Sequence, residues 1–162
     1  MSLEIERKFL VKGNDWKTDN GERYVQGYLN LDKERTVRVR IVGKHAFLCV
    51  KGATRNATRR EFEYKIPLAD AKALLKLCEG SLIEKRRHTV YCNGRRWEVD
   101  EFMGKNLGLV VAEIELDAED EAFDKPSWVG TEVTDDPRYF NSNLAVRPFS
   151  AWQNESERQG AR

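Results

Sequence analysis

Acidic and basic side chains recur at every second position along most of the apolar runs of this sequence. The first run carries Glu4, Glu6 and Lys8 at this spacing, and later runs carry further pairs of like charge. Those pairs, with one separate lysine, are Arg38 with Arg40, Lys51, Glu61 with Glu63, Lys85 with Arg87, Glu98 with Asp100, and Glu113 with Glu115. Carboxylate oxygens are the ligands that Mg²⁺ and Mn²⁺ prefer, whereas lysine and arginine bind phosphate oxygens. The two residue types together indicate a site for a metal ion and a polyphosphate.

The spacing of two predicts that each set lies on one face of a β-strand, because successive side chains of a strand point to opposite sides. Glu4, Glu6 and Lys8 then project together, and apolar residues project from the other face. The predicted strands are Leu3 to Val11, Tyr24 to Asn30, Thr36 to Val42, His45 to Lys51, Thr58 to Ile66, Ser81 to Cys92, Arg95 to Phe102 and Val110 to Leu116. The dipeptide Asn93-Gly94 between two of these runs is typical of a two-residue hairpin turn.

One helix is predicted after the fifth strand. Pro67 suits a helix start, the alanine- and leucine-rich segment that follows favours helix, and Gly80 suits the stop. A second, shorter helix is predicted at about residues 119–123. From Pro126 onward the chain is too aromatic for a linker and is expected to pack against the sheet, whereas residues 154–162 are expected to be disordered.

Charge on one face of nearly every strand fits two architectures. An open antiparallel sheet with one solvated face is the ordinary explanation for any single strand. If the sheet instead closes into a barrel, its edges disappear and the charged faces line a lumen. Unpaired charges in a confined space are costly, so clustered carboxylates imply bound cations and clustered cations imply a polyanion. We therefore predict an α+β, mainly β fold: a closed eight-stranded antiparallel β-barrel, or tunnel, with a few flanking helices.

The bulk properties narrow the classes of partner. The 162 residues fit one domain, and the formal net charge of +1 gives no general attraction to a nucleic-acid polymer or to a membrane surface. No apolar run approaches the roughly 20 residues that span a bilayer, and the charged start is unlike a signal segment, so a cytoplasmic location is expected. Cys49, Cys78 and Cys92 lack the spacing of a disulfide framework or a zinc site.

Taken in order, these motifs resemble those of the CYTH superfamily of triphosphate tunnel metalloenzymes. The hallmark E-x-E-x-K reads Glu4-Ile5-Glu6-Arg7-Lys8 here. The later matching segments are Val37-Arg38-Val39-Arg40, Lys51, Glu61-Phe62-Glu63, Lys85-Arg86-Arg87, Trp97-Glu98-Val99-Asp100, Ala112-Glu113-Ile114-Glu115-Leu116 and Glu132-Val133-Thr134. The resemblance implies one tunnel domain over residues 1–153, built from eight antiparallel strands, with a C-terminal helix near one mouth.

The resemblance also implies a role for each charged residue. A small-molecule triphosphate would be gripped by Arg38, Arg40, Lys51, Lys85 and Arg87. Two divalent ions, Mg²⁺ or Mn²⁺, would be held by Glu4, Glu6, Glu63, Glu113 and Glu115, with Glu61, Glu98 and Asp100 as ligands or as neighbours of ligands. One ion would position the triphosphate and the second would deliver the attacking water. Glu4, Glu6 and Lys8 are the candidate catalytic residues, and Lys8 would bind a terminal phosphate, orient the water or deprotonate it.

The favoured function is metal-dependent hydrolysis of inorganic tripolyphosphate to pyrophosphate and phosphate. Thiamine triphosphatases, nucleoside and RNA triphosphatases and class IV adenylate cyclases share the tunnel, so the fold does not choose among them. Stacking aromatics at the mouth would favour an organic triphosphate, and the candidates are Trp16, Tyr24, Tyr28, Trp97 and Trp128, although such residues more often form a core. A polyphosphate-binding protein without catalysis is a further alternative. The oligomeric state is left open, because exposed apolar strand faces are compatible with a homodimer.

Overall fold

The computed structural model describes residues 2–152, most of which form β-strands. The strands are β1 Ser2–Val11, β2 Glu22–Asn30, β3 Arg35–Val42, β4 His45–Gly52, β5 Thr58–Ile66, β6 Glu79–Cys92, β7 Arg95–Phe102, β8 Val110–Glu115 and β9 Val129–Glu132. The α-helices are α1 Leu68–Leu75 and α2 Asn141–Val146, and three 3-10 turns lie at Gly104–Asn106, Pro137–Tyr139 and Phe149–Ala151. Within the described residues, neither α-helix has the length and apolar character needed to cross a membrane.

The first eight strands form a closed antiparallel barrel. Their hydrogen-bonded order is β5-β4-β3-β2-β6-β7-β8-β1, and β1 closes the ring by pairing with β5 as well as with β8. In this ring Glu4 lies opposite Arg59 of β5, and Glu6 lies opposite Glu115 of β8. The short β9 adds to the end of β1, opposite Phe9. Closure brings the inward faces of all eight strands around one lumen.

Apolar side chains on the outside of the barrel are covered by segments that lie outside the ring. Helix α1 buries Ala71 against the outer faces of β3 and β4. Beside β1, β7 and β8, Trp97 is fully buried and makes edge-on ring contacts with Phe9 and Trp128, and Trp16 belongs to the same cluster. Each such aromatic contact contributes about 0.5–1.5 kcal/mol beyond the burial of area. Apolar packing on the outer surface therefore contributes to the stability of the barrel.

The inward face of the barrel changes from charged to apolar along the strands. On β1 the inward series Glu4, Glu6, Lys8 is followed by Leu10, which is 1% exposed. The other inward apolar side chains at this end are Tyr28, Ile83, Phe102 and Val111, and they pack with Val133, Tyr139, Leu144, Ala145, Phe149 and Trp152 of the C-terminal segment. The C-terminal segment thus fills one end of the barrel and leaves the charged cavity toward the other end.

The predicted barrel and its eight strands are confirmed, with strand boundaries that differ by at most two residues. The helix predicted near residues 119–123 is wrong, because this segment is a turn followed by irregular chain. Glu121 there accepts a hydrogen bond from the backbone N–H of Asp117 and pairs with Arg95, so its side chain holds a turn against β7. The expected packing of the chain after Pro126 is confirmed, whereas the expected disorder of residues 154–162 concerns a segment outside the described residues.

Gly80 tests how closely the C-terminal segment packs on β6. Its φ is +70°, and a Cβ there would lie 2.6 Å from the backbone oxygen of Ala145, whereas a Cβ on Gly94, at φ +73°, would meet nothing within 4 Å. We expect Gly94→Ala to lower the free energy of unfolding by about 1–2 kcal/mol through backbone strain. Gly80→Ala should lower it by at least about 1 kcal/mol more, because α2 must move. Urea denaturation measures both, and equal losses would contradict the close packing.

Candidate functional site

The charged inward faces enclose a cavity of about 310 Å³. It is lined by the cations Lys8, Arg38, Arg40, Lys51, Arg59, Lys85, Arg87 and Arg96, by the carboxylates Glu4, Glu6, Glu61, Glu98, Glu113 and Glu115, and by Ser2, Leu3, Tyr24 and Asn141. Of the site residues predicted from the sequence, all except Glu63 and Asp100 line this cavity. Strand closure therefore gathers side chains from all eight strands of the barrel into one mixed-charge space.

Asp100 lies behind the cavity wall and orients two of its cations. Lys85 Nζ donates to one Asp100 oxygen at 2.7 Å, and Arg87 donates through Nε and Nη2 at 2.7 and 2.9 Å. Asp100 is 1% exposed. Burial opposes its ionisation, but Arg87 and Lys85 hold the pKa of Asp100 below its usual range. Burial also lowers the pKa of Lys85 to about 8, although the Asp100 charge opposes that change. Asp100 is thus the fixed partner of two candidate triphosphate ligands.

Several carboxylates crowd together where β1 pairs with β8. Lys8 Nζ lies 3.9 Å from Glu6 and 4.0 Å from Glu113, so one lysine is shared between two acids. Burial, together with the charges of Glu113 and Glu4, raises the pKa of Glu6 to about 7. Burial also raises the pKa of Glu115. Such raised pKa values indicate carboxylates with too little positive charge nearby, and a divalent cation would supply that charge.

Glu4 is the centre of a second charged group, to which β1, β4 and β5 contribute. Lys51 Nζ lies 3.1 and 3.0 Å from its two carboxylate oxygens, and Arg59 Nε lies 3.3 Å from one of them. Burial opposes the ionisation of Glu4. The charges of Lys51 and Arg59, together with a hydrogen bond from Glu61, nevertheless hold the pKa of Glu4 well below its usual range. The same hydrogen bond, with burial, raises the pKa of Glu61 to about 8. The surroundings of Glu4 thus favour its charged form, whereas those of Glu61 favour its protonated form.

The carboxylates around the cavity fit a hard divalent cation by their chemistry. Mg²⁺ and Mn²⁺ take oxygen ligands and typically use only one or two protein carboxylates, with water and phosphate oxygens completing the shell. Within residues 2–152, no three histidine, cysteine or acidic side chains are grouped closely enough to hold an ion in their present rotamers. The contacts explain this, because Glu4 is turned toward Lys51 and Glu113 toward Lys8 and Arg87. Binding of an ion by these carboxylates would therefore require them to exchange a cationic side chain for the metal.

Glu63 belongs to the inward series of β5 but lies outside the cavity lining. Its carboxylate is 2.9 Å from Arg40 Nη2, and its side chain is 32% exposed. Arg40 in turn lies 5.3 Å from the ring centres of Tyr24 and Phe47. Glu63 is thus the partner of a candidate triphosphate ligand, and its role as a metal ligand stays a prediction.

A smaller pocket of about 40 Å³ shares part of the cavity wall and contains side chains that the charged motifs do not mark. Its lining is Glu4, Glu6, Lys8, Tyr28, Thr54, Ala57, Arg59, Thr134, Phe140, Asn141 and Ser142. Lys8 Nζ lies 5.5 Å from the centre of the Phe140 ring, and the Lys8 backbone N–H donates to Thr134 Oγ1. The fully buried Gln26 donates to Asn141. The start of α2 therefore forms part of the site.

Strand parity provides a sequence signal for only some of these residues. Tyr28 lies two positions after Gln26 and four after Tyr24, so all three occupy the inward face of β2. Phe140 and Asn141 have no such signal, because they come from a C-terminal segment without strand periodicity. Their place in the site follows from how that segment packs into the end of the barrel.

Residues 2–147 match the model of the CYTH domain family. A protein of Acetivibrio thermocellus named inorganic triphosphatase is 49% identical over 151 residues, which cover 92% of this chain and 97% of that protein. A protein of Nitrosomonas europaea with the same name is 35% identical over 151 residues, covering 88% of this chain and 97% of that protein.

Solved structures are similar over much of the chain. The crystal structure of an inorganic triphosphatase has a TM-score of 0.66 at 33% identity and covers 88% of this chain and 97% of its own. A protein of Pyrococcus furiosus has a TM-score of 0.55 at 22% identity, over 72% of this chain and 80% of its own, and shares the fold.

Asp100 should be essential for stability, because it is the buried partner of Lys85 and Arg87. We expect Asp100→Asn to lower the free energy of unfolding by about 3 kcal/mol, since loss of one partner leaves buried charge uncompensated. Glu84→Gln is the matched control: Glu84 pairs with Arg23 at 3.3 Å on the surface, and its loss should cost about 0.5 kcal/mol or less. Urea denaturation at pH 7 measures both changes. A loss for Asp100→Asn as small as that of the control would show that the buried pairs contribute little.

Proposed function

The chain belongs to the CYTH domain family, and we propose that it hydrolyses inorganic tripolyphosphate to pyrophosphate and phosphate. Two relatives named inorganic triphosphatase match it over 97% of their own lengths. The observation that carries the proposal is the composition of the cavity wall. Of the described residues that line the 310 Å³ cavity, only Leu3 and Tyr24 are apolar or aromatic. A wall of this kind recognises charge and offers little surface to an organic group.

The aromatic side chains also favour an inorganic substrate. The Tyr24 ring already has Arg87, Arg40 and Lys85 at 5.0, 5.3 and 5.9 Å from its centre, so cations occupy the surroundings of its faces. The tryptophans considered for stacking, Trp16, Trp97 and Trp128, belong to the apolar cluster outside the barrel. Tyr28, the remaining candidate, is 5% exposed and packs in the apolar cluster at the end of the barrel. Among the described residues, Tyr24 is thus the only aromatic residue that lines the 310 Å³ cavity.

Five cations from three strands of the barrel would hold the triphosphate. Lys85 and Arg87 come from β6, Arg38 and Arg40 from β3, and Lys51 from β4. Arginine can donate two hydrogen bonds at once to the oxygens of a phosphate group. Lysine acts as a point charge on a flexible side chain, so it can adapt to the position of a phosphate. Lys85 and Arg87 stay fixed on Asp100 behind the wall, so they would meet the substrate already oriented. This arrangement lowers the entropic cost of positioning the phosphates.

The reaction itself needs positioned charge and a positioned water. Water oxygen attacks a terminal phosphorus, the anhydride P–O bond breaks, and pyrophosphate leaves. Divalent ions, two of Mg²⁺ or Mn²⁺ in our proposal, would supply neutralisation of phosphate charge and a more acidic water. Glu4, Glu6, Glu113 and Glu115 would hold them, and Lys8, between Glu6 and Glu113, would donate to a terminal phosphate oxygen or orient the water.

Substrate choice tests the proposal directly. We expect kcat/KM for tripolyphosphate with Mg²⁺ or Mn²⁺ to exceed that for ATP, thiamine triphosphate and pyrophosphate by about tenfold or more, because the wall binds charge and not a ring. Phosphate release measures all four, and EDTA should abolish it. A preference for ATP or thiamine triphosphate would reject the inorganic substrate, and formation of cyclic AMP would indicate a cyclase. If tripolyphosphate binds but is not hydrolysed with either metal ion, the protein is a polyphosphate-binding protein without catalysis.

Substitution of Glu6 tests whether hydrolysis depends on a metal ion held by this carboxylate. We expect Glu6→Gln to reduce kcat/KM for tripolyphosphate by about 100-fold or more, since loss of a metal ligand removes several kcal/mol of charge stabilisation. The control Glu84→Gln removes an exposed carboxylate on the outer face of β6 and should retain the activity of the original protein. Activity of Glu6→Gln within twofold of that control would exclude Glu6 from the reaction.

A further inference from the structure

Arg59 is an inward-facing cation that none of the charged pairs in the sequence includes. It lies two residues before Glu61 on β5, on the same face, and opposite Glu4 of β1 in the strand register. Its side chain lines both the 310 Å³ cavity and the adjoining 40 Å³ pocket. Lys85 and Arg87, by contrast, line only the larger cavity. Arg59 therefore stands where the two spaces meet, away from the cations of β6.

The contacts of Arg59 leave most of its hydrogen-bonding capacity unused. Its Nε donates to Glu4 at 3.3 Å, and neither terminal nitrogen has a hydrogen-bond partner among residues 2–152. A guanidinium group has five N–H donors, of which four are on the terminal nitrogens. The side chain is 23% exposed, so these four donors are held in a mostly covered position beside the cavity.

Charge pairing with Glu4 does not by itself account for Arg59. Lys51 already contacts both carboxylate oxygens of Glu4, at 3.0 and 3.1 Å, and so provides the closer partner. The Nε contact of Arg59 is longer than either, and the hydrogen bond to Glu4 uses only this nitrogen. The two terminal NH₂ groups of Arg59 lie beside the charged cavity, and their planar arrangement matches the oxygens of a phosphate group.

We propose that Arg59 is a further triphosphate-binding residue, whose terminal nitrogens donate to a phosphate group at the junction of the cavity and the small pocket while Nε keeps Glu4 in place. This rests on the proposed function. The bound triphosphate would then be gripped from two sides, by Lys85 and Arg87 on β6 and by Arg59 on β5. Such a grip spans more than one phosphate group, so Arg59 contributes to recognition of the length of the chain.

The test compares Arg59→Gln and Arg59→Lys with Arg60→Gln, which removes the neighbouring, outward-facing and exposed arginine. Steady-state hydrolysis of tripolyphosphate is measured at saturating Mg²⁺ and again across an Mg²⁺ titration. We expect Arg59→Gln to raise KM by about tenfold to a hundredfold, the effect of one or two charge-assisted hydrogen bonds. Arg59→Lys, which keeps the charge and loses the fork, should raise KM less, and Arg60→Gln should leave it within about twofold.

A second measurement does not depend on turnover. The rise in Tm caused by tripolyphosphate in EDTA should be smaller for Arg59→Gln than for Arg60→Gln. If Arg59 serves only to hold Glu4, additional Mg²⁺ will restore the activity of Arg59→Gln, and the proposal is wrong. It is also wrong if KM matches that of Arg60→Gln. Absence of tripolyphosphate hydrolysis by the original protein would overturn the proposed function instead. Should Arg59→Gln fail to fold, the KM of Arg59→Lys against that of Arg60→Gln decides the question.

Discussion

The structure depends on the requirement that a charge taken out of water must have a partner. Six carboxylates and eight cations line one cavity inside the barrel. Removal of any such group from water costs several kcal/mol unless an opposite charge or hydrogen bonds compensate. The lumen therefore cannot serve as an apolar core. The apolar core lies instead on the outer faces, under α1 and around Trp97, and in the end of the barrel that the C-terminal segment fills.

The inward ion pairs differ in how readily they can change partners. Asp100 binds Lys85 and Arg87 at 2.7 Å, is 1% exposed and does not line the cavity, so a ligand has no access to it. Glu4 faces the cavity and is held at 3.0–3.3 Å by Lys51 and Arg59. In the proposed function, a polyanion bound with a metal ion would offer a new partner both to Glu4 and to its two cations. The pairs of Asp100 would then form a rigid wall, and those of Glu4 would change partners when the substrate binds.

Strand parity made most of the site predictable from the sequence. A period of two fixes which face a residue occupies, so Glu4, Glu6, Lys51 and Lys85 could be placed together once the sheet was assumed to close. Distances along the barrel axis were not predictable, because they depend on register between strands that are distant in sequence. This is why Asp100 and Glu63, on the correct face, proved to be partners of cations and not part of the cavity lining.

Arg59 and α2 show two further reasons why sequence patterns fall short. Arg59 belongs to none of the like-charge pairs that marked the other inward residues, although strand alternation sends Arg59 inward and Arg60 outward. Residues of α2 carry no periodic signal, and their position follows from apolar packing at the end of the barrel. That packing has a chemical consequence, since Asn141, held by the buried Gln26, borders both the cavity and the small pocket. In the proposed function, the apolar end would limit how far a polyanion enters and the charged wall would select for charge, so one closed barrel would recognise both properties.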